Sequence, residues 1–173
     1  MRQVLGPIRT AFGLHWRSDD LEIEELPELL ADSGQSPAEE VVIASETPSS
    51  WPDLPPGPYD TPFLQMKRGD LRLTVEEIGR FPITNGTPIA GHREHPGVSD
   101  QDIRTFLLGS AVGALLIQRG MLVLHGNALE KNGQAIVCMG HSGAGKSTLA
   151  YALMQQGWRL LADDLVAVTP QGM

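Results

Sequence analysis

The sequence predicts an α/β sheet with flanking helices, preceded by a β-rich region, so that the chain as a whole is α+β. Residues 1–98 contain short runs in which apolar and polar residues alternate, as in half-buried strands. Residues 99–173 begin with a capped apolar helix and continue as strand, glycine loop and helix. We therefore expect a β-rich N-terminal region at 1–98 and a second domain at 99–173.

In the β-rich region, strands are predicted at residues 10–17, 21–24, 39–45 and 71–75, and a hairpin closed by Asn85-Gly86 at residues 81–90. Residues 30–38 are small and polar and predict a loop. Residues 47–62 contain six prolines and predict an extended connector, with a weak subdomain boundary. His92 and His95 follow in a loop, and because no cysteine or third ligand stands nearby, a solvated loop is favoured over a metal site.

The helix that opens the second domain has a capping box, with Ser99 at the N-cap and Asp102 three residues later. We expect it to end before Gly120 and to pack against the sheet that carries the glycine loop. Its apolar residues are Ile103, Phe106, Leu107, Val112, Leu115 and Leu116. A strand at 121–125, a break at Gly126, a continuation at 127–130 and a turn at 131–133 follow.

Residues 140–147 read Gly-His-Ser-Gly-Ala-Gly-Lys-Ser and fit the pattern G-x-x-x-x-G-K-[ST], whose backbone N–H groups surround nucleotide phosphates. A strand at 134–139 precedes the loop, and a helix at 146–156 follows and ends at Gly157. These neighbours favour a nucleotide site, in a P-loop-containing sheet, over a chance glycine-rich turn. Lys146 would reach the β- and γ-phosphates, and the Ser147 hydroxyl would bind Mg²⁺. The residues expected to bind the nucleotide are Gly140, His141, Ser142, Gly143, Ala144, Gly145, Lys146, Ser147 and Thr148.

Two carboxylates, Asp163 and Asp164, follow a short strand that begins soon after the loop helix. A strand in that place would deliver them to the carboxyl end of the sheet, where open α/β folds bind ligands. Phosphoryl transfer needs a carboxylate near Mg²⁺ and, for a hydroxyl acceptor, a second group that accepts the proton. Adjacent strand residues normally point to opposite faces, so a polar turn remains an alternative. A last strand is predicted at 165–169.

Leu124-His-Gly126, the loop at 140–147 and Gly157-x-Arg-Leu-Leu-Ala-Asp-Asp164 together resemble the catalytic domain of HPr kinase/phosphorylase, over about residues 100–169. The resemblance implies ATP-dependent phosphoryl transfer to a serine hydroxyl of a small protein or peptide. It also implies that Asp164 is the base, that Asp163 lies near the metal, and that His125 lies at the active site. Without the resemblance, His125 at the end of a strand would be interpreted as a packed or capped histidine.

The family also has a further Mg²⁺-binding acid and a phosphorolysis loop after the Asp-Asp pair, and this sequence ends at Met173 before either. We therefore expect a chain that is truncated at its C-terminus or completed by a partner. The sequence supports nucleotide binding more strongly than catalytic turnover. A non-catalytic or degenerate nucleotide-binding module is the main alternative. A small-metabolite kinase related to phosphoenolpyruvate carboxykinase is a lesser one, because no substrate residues match. The hydrophobic strand at 165–169 would be an edge open to association, so a homo-oligomer is considered.

Composition narrows the partners and the compartment. A formal net charge of −8 argues against nucleic acid or an anionic membrane as a partner. No apolar run has the length of a membrane span or of a signal-peptide core. The single cysteine, Cys138, fits a reducing compartment and is favoured as a packed small hydrophobe over a nucleophile. A cytoplasmic location is expected.

Overall fold

The computed structural model describes residues 8–18, 21–27, 40–44, 57 and 60–170. Backbone contacts divide the chain into two compact units, Met1–Arg119 and Gly120–Met173. Each unit has its own β-sheet, and the helices are few. The chain is thus a mixed α+β protein. The predicted loop at 30–38 and most of the proline-rich connector at 47–62 lie outside the described residues.

The first unit contains an eight-stranded mixed sheet in the order β1-β2-β3-β7-β6-β5-β4, with β8 paired to β6. β2 and β7 run parallel to β3, and the remaining pairs are antiparallel. Its strands are β1 Arg9–Ala11, β2 Leu14–Ser18, β3 Glu40–Ala44, β4 Leu64–Lys67, β5 Asp70–Val75, β6 Gly79–Thr84, β7 Thr87–Ala90 and β8 His92–Arg93.

Two of the predicted strands in this unit were wrong. The single strand at 10–17 is a hairpin, because Phe12 and Gly13 have φ of 56° and 70° and form a two-residue turn between β1 and β2. Residues 21–24 form no strand, although Leu21 and Ile23 are buried and the glutamates between and after them are exposed. The alternation of apolar and acidic residues at 21–24 therefore reflects alternating burial and does not indicate a strand.

The predicted hairpin at Asn85-Gly86 is confirmed. These two residues have φ of 52° and 65° and join β6 to β7, as expected for a turn in which both central residues are left-handed. The strands predicted at 39–45 and 71–75 correspond to β3 and β5.

The helical segment consists of α1, Asp100–Phe106, a π-helical stretch, Leu107–Ala111, and α2, Val112–Gln118. The predicted capping box is present: the Asp102 N–H donates to the Ser99 hydroxyl at 3.1 Å, and the Ser99 N–H donates to the Asp102 carboxylate at 3.3 Å. The helix ends before Gly120, as predicted.

This helix packs on strands of the first unit. Its packing on the sheet that carries the glycine loop stays a prediction. The rings of Phe81 and Phe106 lie 6.4 Å apart. At the other end of the helix, the Gln118 amide donates to the Ile83 carbonyl at 3.1 Å and accepts from the Gly86 N–H at 2.7 Å. The division of the chain accordingly falls after Arg119, whereas the sequence placed a boundary between residues 98 and 99.

His92 lies in β8 and is buried, so the prediction of a solvated loop was wrong for this residue. Burial, and then the positive charge of Arg80, lower the pKa of His92. His95 is exposed. Within the described ranges, no group of three His, Cys, Asp or Glu side chains is placed to hold a metal ion.

The second unit contains an antiparallel sheet in which β9 is central, flanked by β10 and β11, while β12 pairs with the first half of β9. Its elements are β9 Leu122–Lys131, β10 Gln134–Met139, α3 Lys146–Gln155, β11 Arg159–Ala162 and β12 Leu165–Val168. Of the helices in the described part of the chain, none has the length and apolar character needed to cross a bilayer.

The predicted break at Gly126 was wrong, because β9 runs through it without interruption. A Cβ atom at Gly126 would lie 2.5 Å from the carbonyl oxygen of Cys138. The glycine therefore permits β10 to approach β9 closely. Asn132 and Gly133, both with positive φ, form the turn from β9 into β10.

Candidate functional site

The glycine loop connects the end of β10 to the start of α3 and lies on the surface. Gly143 and Gly145 have φ of 79° and 85°, a conformation that residues with a Cβ rarely adopt. Gly145 is also the N-cap residue of α3. Gly143 and Gly145 therefore stand where the backbone of the loop needs a glycine.

The first turn of α3 offers N–H groups to a ligand. No side chain caps this helix, and the first N–H groups of a helix have no partner within it. The Lys146 ammonium donates to the carbonyls of Gly140 at 2.8 Å and His141 at 3.1 Å, which holds it over the loop. Ten residues of helix behind these amides add a partial positive charge, so the loop is suited to an anion.

β11 finishes at the same end of the sheet as β10. β10 and β11 are both antiparallel to β9, so they run in the same direction. Met139, the last residue of β10, pairs with Gly126, and Ala162, the last residue of β11, pairs with Ala128. The glycine loop and Asp163 therefore leave the same end of the sheet, on either side of β9.

Asp163 is held by a residue that the sequence analysis missed. The side-chain amide of Asn127 donates a hydrogen bond to Oδ1 of Asp163. Asn127 is 4% exposed and lies on β9 opposite Cys138 of β10. It stands between the strand that leads into the loop and the strand that leads to the carboxylates.

Asp164 sits in a tight turn between β11 and β12. Its φ is 64°, and the Leu165 N–H donates to the Asp163 carbonyl at 2.8 Å across it, a γ-turn of the rare kind with positive φ. The Asp164 carbonyl in turn accepts from the Gly126 N–H at 3.2 Å. Both carboxylates are exposed at this turn. The end of the strand is thus irregular, and the simple rule of opposite faces does not apply there.

His125 is exposed on β9, where it pairs with Leu165 of β12. Since side chains alternate along a strand, His125, Asn127 and Lys131 share one face. That face is the one on which α3 lies, because the Lys131 ammonium donates to the Gln156 carbonyl just after the helix at 2.7 Å. His125 and Asn127 therefore point to the same side of the sheet as α3.

Cys138 is half-buried on β10 and is a free thiol. Its cross-strand partner is Asn127. Its partial burial agrees with a small packed side chain.

The residues present fit a magnesium ion of the kind that accompanies nucleotides. Mg²⁺ is usually held by one or two protein oxygens together with phosphate oxygens and water, and not by a complete protein cage. The Ser147 hydroxyl is exposed in the first turn of α3, and the Asp163 carboxylate is exposed directly after the end of β11. These two side chains carry oxygens of the kind that Mg²⁺ accepts, and the described residues contain no cluster of three His, Cys, Asp or Glu side chains that would hold the ion alone.

Comparison with known proteins identifies a family similar to the second unit. Residues 119–172 match the family model described as the HPr Serine kinase C-terminal domain. The resemblance inferred from the sequence is confirmed. The match coincides almost entirely with the second unit.

Curated relatives carry the name HPr kinase/phosphorylase. That of Lactobacillus delbrueckii subsp. bulgaricus is 36% identical over 110 residues, which cover 63% of this chain and 32% of the relative. That of Lactobacillus johnsonii is 30% identical over 105 residues, which cover 56% and 33%. That of Treponema pallidum is 46% identical over 48 residues, which cover 28% and 15%. The chain thus spans at most about a third of these relatives, and no solved structure matches it.

Proposed function

We propose that the second unit binds ATP with Mg²⁺ at residues 140–148 and transfers the γ-phosphoryl group to a serine hydroxyl of a small protein or peptide. The relatives are named for the protein HPr, which is therefore the first acceptor to test. The observation that carries the proposal is the shared end of the sheet, where the glycine loop follows β10 and Asp163 follows β11, the two strands that flank β9.

Phosphate binding is assigned to the loop amides and Lys146. The positive φ at Gly143 and Gly145 lets the backbone curve around an anion, and the N-terminus of α3 adds its dipole. Lys146 is already placed over the loop by two carbonyls, and it would exchange them for phosphate oxygens.

Magnesium would be held by Ser147 and Asp163, and it would neutralise charge on the β- and γ-phosphates. Asp163 keeps one oxygen on Asn127, which leaves Oδ2 for an ion or its water. His125, on the face covered by α3, is assigned to the active site without a specific step.

Asp164 is assigned as the base for the acceptor. The serine Oγ forms a bond to the γ-phosphorus, the bond from that phosphorus to the β–γ bridging oxygen breaks, and ADP leaves. The hydroxyl proton passes to the Asp164 carboxylate. The exposed turn at Asp164 makes its carboxylate accessible to a macromolecular acceptor.

The first test is binding of a fluorescent ATP analogue with and without Mg²⁺. Lys146→Ala should weaken binding about 10- to 100-fold, because a hydrogen bond to a charged group contributes roughly 1.5–3 kcal/mol. Lys131→Ala is the matched control, since this lysine lies in the same unit but contacts the far end of α3. Its affinity should stay near that of the wild type. A folded chain without magnesium-dependent affinity for ATP or GTP would overturn the proposal.

Transfer is tested separately with radiolabelled ATP and purified HPr. Label on HPr supports the kinase. Tight binding with no label on HPr or on any tested peptide would instead support a non-catalytic nucleotide-binding module.

A further inference from the structure

Asn127 stands out because it breaks a local rule of sheet formation. Asn is depleted in strands, and a buried polar side chain is costly unless it is hydrogen-bonded. Asn127 nevertheless lies in the middle of the ten-residue strand β9 and is 4% exposed. Departures of this kind tend to occur at functional sites.

The side chain of Asn127 is committed to one partner. An ionised carboxylate only accepts hydrogen bonds, so the amide nitrogen of Asn127 must face Asp163, as it does. This bond joins a rigid central strand to an exposed carboxylate at a turn. It fixes the rotation of the carboxyl group and occupies Oδ1.

The bond also links the two halves of the site. Asn127 pairs with Cys138, two residues before the loop begins at Gly140, and bonds to the residue that directly follows β11. A displacement of the end of β10 or of β11 would therefore change the direction in which the Asp163 carboxylate points. Groups that orient a metal ligand in this way commonly contribute about 10- to 100-fold to metal affinity or activity.

We propose that Asn127 is a positioning residue that orients Asp163 toward the nucleotide-bound Mg²⁺, an inference that rests on the proposed function. It acts through Asp163 and does not touch the nucleotide. The competing interpretation is that the bond only closes the irregular end of the sheet and contributes to folding.

The test is the Mg²⁺ concentration for half-maximal binding of the fluorescent ATP analogue, measured for the wild type, Asn127→Ala, Asp163→Ala and the double variant. Asn127→Ala should raise this concentration about tenfold, while binding measured in EDTA should stay unchanged. In the Asp163→Ala background, the second substitution should have almost no further effect, because its only route is gone.

Two further variants separate positioning from folding. Asn127→Leu has nearly the same shape as the asparagine but no hydrogen-bond donor, so it keeps the buried volume. It should also raise the Mg²⁺ concentration for half-maximal binding about tenfold. It takes the place of the alanine variant in the test if the alanine variant does not fold. Leu129→Val shortens a fully buried side chain on the same face of β9 and leaves Asp163 alone. It should lower the melting temperature without changing the Mg²⁺ requirement.

The outcomes are distinct. An unchanged Mg²⁺ requirement in both Asn127 variants, or effects of Asn127 and Asp163 that simply add, would overturn the positioning role while leaving nucleotide binding intact. Absence of Mg²⁺-dependent binding in the wild type would overturn the proposed function, and the positioning role with it.

Discussion

The two units are built differently. In the first unit, nine large apolar side chains of the described residues are essentially inaccessible: Trp16, Val41, Ile43, Phe81, Ile83, Leu107, Val112, Leu115 and Leu116. In the second unit, the corresponding set is Leu129 and Val166. Its large exposed apolar side chains are Leu122, Ile136, Met139, Leu149, Tyr151, Met154, Leu160 and Leu161.

This difference shows where the candidate site gets its geometry. The first unit is held by a packed core between its sheet and its helix. The second unit positions its loop and carboxylates mainly through backbone pairing, the close approach at Gly126 and a few polar contacts such as that between Asn127 and Asp163. Changes at the site should therefore affect chemistry more than stability, and changes in the first core should do the reverse.

The largest expected effect is on transfer in Asp164→Asn. Removal of a general base typically costs about 10²- to 10⁴-fold in rate, whereas ATP affinity should remain nearly unchanged. Asn tolerates positive φ, so the turn at 64° should persist. The comparison is made by initial rates of labelled phosphate transfer and by nucleotide titration of the same preparation. Equal losses of affinity and rate would contradict the assignment of Asp164 as base.

The second largest expected effect tests the difference in side-chain packing between the two units. Leu115→Ala, at a fully buried position of α2, should destabilise the first unit by about 2–5 kcal/mol. Leu149→Ala, at a position of α3 that is 50% exposed, should change stability by no more than about 0.5 kcal/mol. Hydrogen exchange followed by mass spectrometry assigns each loss to peptides of one unit. A large loss from Leu149→Ala would contradict the difference in packing between the two units.

The features that the sequence predicted correctly are those set by neighbouring residues. The Ser99–Asp102 capping box and the Asn85-Gly86 turn depend on hydrogen bonds and dihedral angles within four residues. The turn at Phe12-Gly13 was missed although it is local, because an aromatic residue is an unusual occupant of a left-handed position.

The wrong predictions concern contacts between distant parts of the chain. Gly126 was interpreted as a break because nothing local shows that the Cys138 carbonyl lies against it. His92 was expected in solvent because its burial depends on packing within the first unit.

The candidate site also contains features that local sequence predicts and features that depend on distant contacts. The glycine loop could be found from its motif, and the position of Asp163 and Asp164 from the short strand before them. Their catalytic and metal-binding roles, like that of His125, stay predictions. Asn127 was missed because its partner is 36 residues away. The available signal was an asparagine in an otherwise apolar run, between Gly126 and Ala128.

The smallest expected effect is a pH dependence in the second unit. The Gly133 N–H, at 2.9 Å, and then the hydrogen-bonded Arg159 guanidinium lower the pKa of Glu130 from its ordinary value of 4.5. Because the folded-state pKa is lowered, the stabilising contribution of this carboxylate is present above about pH 4.5 and is lost as the pH falls through the lower folded-state value.

Glu130→Gln should therefore exchange backbone amides of β9 and β10 slightly faster than the wild type at pH 6, and the difference should shrink between about pH 5 and pH 3. Glu76→Gln, an exposed substitution in the first unit, is the control and should leave these peptides unchanged. A difference that grows as the pH falls would contradict a lowered pKa of Glu130 in the folded state. A constant difference would mean that Glu130 acts through its shape, and that charge adds nothing to the pairing of β9 with its neighbours.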